Sequence, residues 1–421
     1  GGDRDGNPFV TNDITLKTAY KLRSDIIKNY YRDVRKLRRR LTFKGIEEVV
    51  IDIEDRLYMS MFENVEKTSI SLDEFKQKLL HIKDKIINEY ESLFIDQVQD
   101  LIDKVNIFGY HFASLDIRQD SSIHNDVFKR IIDFNHGKDF TKKYYEMSED
   151  DKIEFISNSN FESQNDKFSD VNVLNTLGSI DAMRAIQKSN GEKGCHRYII
   201  SHNETALNIF EVFYMFKISG WVNPLVDIVP LFETIEDLNI SVSVMEKVYR
   251  NKLYKNHLKS RGSEQIIMLG FSDGTKDGGY FTANWEILKA KENLTKLSLK
   301  YGIKVKFFDG RGGPPARGGG NTHQFYSSLS GVLDSKQIQL TIQGQTISSN
   351  FGTIDSCQYN LEQLISSSLN NSEIKSSDSV LSDDNRKTMD KLSEISFKAY
   401  NDFKSHPMFL SYLEQMSTIK Y

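Results

Sequence analysis

Residues 303–320 read IKVKFFDGRGGPPARGGG. The first six, Ile303–Phe308, make an apolar-rich run of strand length, and Asn321-Thr322-His323 beyond the stretch can open a helix. Between the two lie six glycines and two arginines. A backbone that rich in glycine can fold closely around an anion, and guanidinium forks suit carboxylate or phosphate. RNA-binding Arg-Gly tails and flexible linkers share the composition. They occupy long low-complexity stretches, whereas this segment is held between a strand and a helix.

The same unit recurs along the chain. Gly109–Asp116 (GYHFASLD) leads into Ile117-Arg118-Gln119-Asp120, and Tyr198–Ile200 ends in Ser201-His202-Asn203-Glu204. Val226–Leu231 ends in Phe232-Glu233-Thr234, and Ile266–Gly270 in Phe271–Gly279 (FSDGTKDGG). Ile338–Ile342 ends in Gln343-Gly344-Gln345. With Ile303–Phe308 these make six candidate strands, each followed by a candidate helix, which is the pattern of a parallel sheet. Polar and charged residues stand at the C-terminal end of nearly every run, where a (β/α)8 barrel builds its active site. A doubly wound open sheet is the alternative, and it concentrates its chemistry at one switch point. The expected fold is therefore α/β and helix-rich: an incomplete (β/α)8 TIM-type barrel over residues 106–346, about six of eight strands, with additional helical layers.

Residues 1–105 are expected to be mainly helical. Apolar residues recur at helical spacing in the stretch Ile14–Leu41, with Asn12 or Asp13 as the expected cap and Lys36–Arg40 complementing the dipole at the far end. A second helix is expected from Ser71 to Phe94, with Glu74 completing a capping box. The polar stretch 148–170 reads as an outer helix and loop. Residues 347–421 read as a helical segment with a mobile polar connection near 370–386, where apolar content is low.

Composition excludes several classes. The 421 residues carry 55 Lys+Arg against 59 Asp+Glu, a net of -4, which argues against a general binder of nucleic acid or anionic membrane. No apolar run approaches a bilayer span. Two distant cysteines, Cys195 and Cys357, make structural disulfides unexpected and fit a reducing cytoplasm. The chain opens directly on Gly1–Pro8 (GGDRDGNP), a turn-rich motif with no methionine before it, as expected of a piece of a longer polypeptide.

The strand ends carry the candidate chemistry. Glu233 and Asp273 suit a divalent cation such as Mg²⁺, which takes one or two protein carboxylates and leaves its other positions to water and substrate oxygens. A carboxylate after a strand is also a common helix cap or ion-pair partner. Lys276, Arg311 and Arg118 are cations that could face an anionic substrate and the charge that builds during transfer. For Arg118 an ion pair with Asp116 or Asp120 is the structural reading. His202, His323 and Cys357 have no legible nucleophile–base–orienter partners, so no serine- or cysteine-type hydrolase is expected. Trp221 and Trp285 read as core.

At these residues the chain resembles the phosphoenolpyruvate carboxylase family. Gly1–Pro8 looks like its GGDRDGNP motif, Leu115–Gln119 its LDIRQ strand, and Val229–Thr234 its VPLFET strand. Phe271–Gly279 is similar to its YSDSxKDxG lysine signature, and Gly310–Gly320 to its GRGG…GRGGG loop. The resemblance implies Mg²⁺- or Mn²⁺-dependent, irreversible carboxylation of phosphoenolpyruvate by bicarbonate, through carboxyphosphate and an enolate, giving oxaloacetate and phosphate. It implies that Glu233 and Asp273 hold the metal, that Arg118 anchors the substrate phosphate, and that Lys276 belongs to the catalytic centre. Arg311 would contact bicarbonate or carboxyphosphate. Arg317, with Gly318, Gly319 and Gly320, would form the mobile loop that closes over the site and links to inhibition by aspartate or malate. A cytoplasmic, allosteric homotetramer supplying oxaloacetate to the tricarboxylic acid cycle is the family expectation.

The sequence departs from the family pattern in three places. Asp309 stands where the usual FHGRGG has histidine, and Gly274-Thr275 where serine and a small residue are usual. The family's upstream His-Pro-Thr motif has no counterpart, since the only His-Pro is His406-Pro407, and the downstream GSRP segment is likewise absent. The expectation is thus a central portion of such an enzyme, with little activity by itself. A different metal-dependent enzyme acting on phosphoenolpyruvate or pyruvate, and a non-catalytic barrel retained for assembly, are the alternatives.

Overall fold

The computed structural model describes residues 1–61, 69–159, 168–310, 322–327, 337–342, 344–373 and 381–417. The chain divides into two compact units, Gly1–Arg118 with Ser163–Tyr198, and Gln119–Glu162 with Ile199–Tyr421.

Among the described residues four helices come first: α1 (Asn12–Arg38), α2 (Glu47–Met59), α3 (Leu72–Glu89) and α4 (Ile95–Phe108). After β1 (Asp116–Asp120) come α5 (Ser121–His136), α6 (Lys138–Glu146), α7 (Glu149–Asn158) and α8 (Val171–Asn190). Strands and helices then alternate: β2 (Arg197–Ser201), α9 (Ala206–Ile218), β3 (Asp227–Phe232), α10 (Ile235–Arg250) and α11 (Lys252–Ser260). Next are β4 (Glu264–Gly270), α12 (Phe271–Gly278), α13 (Tyr280–Lys300), β5 (Lys304–Gly310), α14 (Thr322–Ser327) and β6 (Gln339–Leu340). The last helices are α15 (Gln345–Phe351), α16 (Ile354–Glu373), α17 (Asp383–Lys404) and α18 (Phe409–Met416).

In the first unit the apolar faces of α1–α4 share one core. Ile27, Tyr30 and Val34 of α1 join Ile53 and Leu57 of α2, Phe75 and Ile82 of α3, and Val98 and Val105 of α4. The cap of α1 is Thr11, whose hydroxyl accepts from the Ile14 amide, so Asn12 and Asp13 lie inside the first turn. Ser71 caps α3 as expected, but the Glu74 carboxylate turns to Arg56, leaving the capping box half made. That helix stops at Glu89 because Glu91, Ser92 and Phe94 take left-handed φ values, and α4 starts afresh at Ile95.

The expected first strand, Gly109–Asp116, is displaced: β1 begins at Asp116, where that run ends. Gly109 ends α4 at φ +47° and Phe112 sits at φ +61°, so the chain turns before it extends at Asp116. The opening stretch lies parallel to this strand. The Arg118 amide donates to the Gly2 carbonyl at 3.0 Å, and the Arg4 amide donates to the Arg118 carbonyl at 2.9 Å. A Cβ on Gly2 would lie 2.0 Å from the Asp116 carbonyl oxygen, so only glycine fits there.

Among the described residues the sheet has six strands in the order β1-β2-β3-β4-β5-β6, and the pairs β3–β4, β4–β5 and β5–β6 are parallel. A doubly wound sheet must reverse its strand order at a switch point. This order runs without reversal, which removes that alternative. In the second unit Ile199, Val229, Leu231 and Met268 pack together with Ile266 and Phe308. Helix α9 is buried on nearly every face, from Phe210 to Phe216. Within the polar stretch 370–386, residues 374–380 lie outside the described residues; α16 runs to Glu373 and α17 begins at Asp383. Among the described residues no helix is long and apolar enough to cross a membrane.

Candidate active site

The C-terminal end of β3 is fixed by a reciprocal cap. Thr234 caps α10 by accepting from the Asp237 amide at 3.0 Å, while the Asp237 carboxylate accepts from the Thr234 amide at 2.9 Å and the Glu233 amide at 3.2 Å. This local Thr-x-x-Asp pattern holds the backbone of Glu233 in one place. The residue itself is 3% exposed.

Its carboxylate meets His202, from the end of β2. The His202 amide donates to Glu233 Oε2 at 3.3 Å, and the ring Nε2 lies 3.3 Å from the same oxygen. On the other side Nδ1 is 2.7 Å from Asp120 Oδ2, at the end of β1. Burial pushes the Asp120 carboxyl up, but hydrogen bonds from Ser122 and His202 outweigh it and hold the group below its ordinary value. His202 adopts φ +49°, an uncommon conformation for a side-chain-bearing residue, and Ser121 Oγ donates to its carbonyl at 2.5 Å. An imidazole between two carboxylates can donate to both only as the imidazolium. No orienting partner for His202 was legible in the chain; Asp120, 82 residues away, is that partner. The usable signal was its position at a strand end.

The end of β4 packs directly on Glu233. A Cβ on Gly270 would lie 3.0 Å from Glu233 Cα and 3.3 Å from Cγ, and one on Gly274 would lie 3.3 Å from the Glu233 carbonyl oxygen. Glycine at both positions lets the first turn of α12 rest against this residue. The helix carries Asp273 and Lys276 one turn apart, paired at 2.8 Å with the lysine side chain 69% exposed. A pair so open to water holds its partners weakly, so Lys276 can be drawn to another anion.

Two further positions have different surroundings. Asp309 is buried at the end of β5, 2.6 Å from Lys291 Nζ and accepting from the Tyr326 hydroxyl at 2.8 Å; both charged side chains are 3% exposed. Arg118, in the first unit, finds its carboxylate on the opening turn: Nη2 is 2.6 Å from Asp5, and Nε is 3.8 Å from Asp3. Asp116 pairs with Arg197 at 3.2 Å. Arg311, Arg317, Gly318, Gly319 and Gly320 lie outside the described residues.

Among the described residues no cluster of three or more Asp, Glu, His or Cys could hold a metal. Glu233 and Asp273 nonetheless suit a hard cation that needs only one or two carboxylates. They are oxygen donors following two strands paired in register, Leu231 with Met268 and Phe232 with Leu269.

A family model described as phosphoenolpyruvate carboxylase matches the chain over residues 1–73 and 59–420. Matched over almost all of its length, and with carboxylates and a lysine at the ends of neighbouring parallel strands, the chain belongs to the phosphoenolpyruvate carboxylase family and is an enzyme of that carboxy-lyase type.

Proposed function

We propose that the protein carboxylates phosphoenolpyruvate with bicarbonate, giving oxaloacetate and phosphate, at the C-terminal strand ends of a (β/α)8-type barrel. The observation that carries this reading is the juxtaposition of Glu233 with α12, the helix bearing Asp273 and Lys276. In the reaction the phosphoryl group leaves the enol oxygen for a bicarbonate oxygen, forming carboxyphosphate and the enolate of pyruvate. Carboxyphosphate releases phosphate and leaves carbon dioxide, which C3 of the enolate attacks. No other reactant is needed.

Glu233 and Asp273 would hold Mg²⁺ or Mn²⁺, whose positive charge would offset that of the phosphate and carboxylate oxygens. The protein's own groups do the remaining work. Lys276 would exchange Asp273 for the reacting anions and stabilise their charge. Arg118, already oriented by Asp5, would anchor the phosphate, and Arg311 would contact bicarbonate or carboxyphosphate. Arg317 and Gly318–Gly320 are assigned to the loop that shields the reactive intermediates from water. Cytoplasmic location, a homotetramer, inhibition by aspartate or malate and an anaplerotic role follow from family membership as part of the same proposal.

The test uses the full-length protein. Phosphoenolpyruvate loss and oxaloacetate gain are followed with Mg²⁺, with and without bicarbonate, beside Lys276→Ala. Bicarbonate-dependent oxaloacetate formation, lowered at least 100-fold by the substitution, is expected. Turnover without bicarbonate would indicate another enzyme of phosphoenolpyruvate, and a folded protein without turnover a non-catalytic barrel.

A further inference from the structure

The C-terminal end of α12 is held by a helix more than a hundred residues away. The last carbonyls of any helix lack partners within it. Here the Gly279 amide closes on the Thr275 carbonyl, and Gly279 takes φ +80° to end the helix. The carbonyls of Lys276 and Asp277 are then met from α17. Lys404 Nζ donates to the Lys276 carbonyl at 3.2 Å and to the Asp277 carbonyl at 3.0 Å, and the Tyr400 hydroxyl donates to the Lys276 carbonyl at 3.1 Å. The ammonium also sits over the Tyr400 ring, 5.5 Å from its centroid. A cation at this end complements the helix dipole as well as filling its acceptors.

The two glycines that end α12 make room for this contact. A Cβ on Gly278 would lie 2.7 Å from Ile235 and 3.1 Å from Phe397, and one on Gly279 would lie 3.1 Å from the Tyr400 ring. The Asp277 carboxylate in turn accepts from the Ile235 amide at 3.1 Å, which ties the same end to the start of α10, two residues after Glu233. One cluster therefore fixes the backbone of the lysine helix and the entry to the helix that follows Glu233.

We propose that Lys404 and Tyr400 are positioning residues that set the place of α12, and through it of Lys276 and Asp273. The proposal rests on the carboxylase reading for its kinetic consequence and on the contacts alone for its structural one. Because the Lys276 side chain is mostly exposed and only weakly paired with Asp273, its position is governed by the backbone from which it projects. The docking of α17 has anchors of its own. Trp285 Nε1 donates to Asp390 at 2.8 Å, Arg386 pairs with Glu292 at 2.8 Å, and Thr282 donates to the Ser393 carbonyl at 3.1 Å. Loss of the Lys404 ammonium therefore leaves the helix docked and the protein folded.

The experiment compares Lys404→Met, Lys404→Arg and Tyr400→Phe in the full-length protein. Amide hydrogen exchange is read at Gly279, and carboxylation kinetics are measured alongside. Lys404→Met is expected to speed exchange at Gly279 about ten-fold with α13 unchanged, and to lower kcat about ten-fold with KM for phosphoenolpyruvate within about two-fold. Lys404→Arg restores most of both, and Tyr400→Phe gives a smaller shift of the same kind. Unaltered exchange at Gly279 in Lys404→Met would overturn the proposal, as would a kcat loss that Lys404→Arg does not repair. If the parent protein does not carboxylate, the exchange measurement still decides whether α17 holds α12.

Discussion

Buried charge separates what single residues contribute to stability from what they contribute to chemistry. Glu211 of α9 is fully buried, with Asn125 donating to its Oε1 at 3.0 Å. Burial pushes its carboxyl up to about 8, against the pull of hydrogen bonds from Asn125 and Asn208. The folded chain therefore keeps a proton that the unfolded chain releases near 4.5, and stability falls as pH rises between those values. Glu211→Gln carries the neutral form permanently. It should match the parent near pH 5 and exceed it above pH 8 by about 4–5 kcal/mol, each tenfold difference in proton affinity being about 1.36 kcal/mol. Urea midpoints at the two pH values measure this, and parallel behaviour of parent and variant would mean that Glu211 is ionised in the fold. Lys291 and Asp309 answer the same low-dielectric environment by pairing. From sequence Asp309 was visible only as a departure from a histidine-bearing motif. Its partner lies 18 positions earlier on α13 and could not be read without the fold.

Elements were more legible than their ends. The periodicity of apolar residues located α1 and α3, and short β-prone runs located β2 to β6, because both signals are local. Helices α2 and α4 went unread although Val50, Ile53 and Leu57, and Val98, Leu101 and Val105, have helical spacing. The first strand was placed too early because Tyr110–Ala113 has strand-like composition yet sits in a turn set by Gly109 and Phe112. The opening stretch is the clearest case of a motif whose structural reason lies elsewhere in the chain. Its two backbone hydrogen bonds to Arg118 require Gly2, whose Cβ position is filled by the Asp116 carbonyl. Gly2→Ala should lift the stretch from β1, costing about 1–3 kcal/mol for the two bonds. The Arg118 amide should then exchange at least ten-fold faster, as read by hydrogen exchange. An unchanged rate at Arg118 would mean that the pairing does not depend on Gly2.

For the molecule as a whole, a sheet whose strands follow chain order places successive strand ends side by side, so residues far apart in sequence can serve one ligand. Asp120, His202 and Glu233 already meet in this way, at the ends of β1, β2 and β3. The strand-end positions of Glu233 and Asp273 were legible because each follows a readable strand. Their present partners, His202 and Lys276, follow from tertiary packing and from helical spacing respectively. If the two carboxylates hold one divalent ion, their contributions must be coupled. Removing bound divalent ions with a chelator should abolish carboxylation, and Mg²⁺ or Mn²⁺ should restore it. In Mn²⁺ titrations followed by electron paramagnetic resonance, Glu233→Gln and Asp273→Asn should each weaken binding at least ten-fold. The double variant should fall well short of the product of the two losses, because the second substitution acts on a site already broken. Fully additive losses would place the carboxylates at independent ions and remove the argument that the ends of β3 and β4 form one centre.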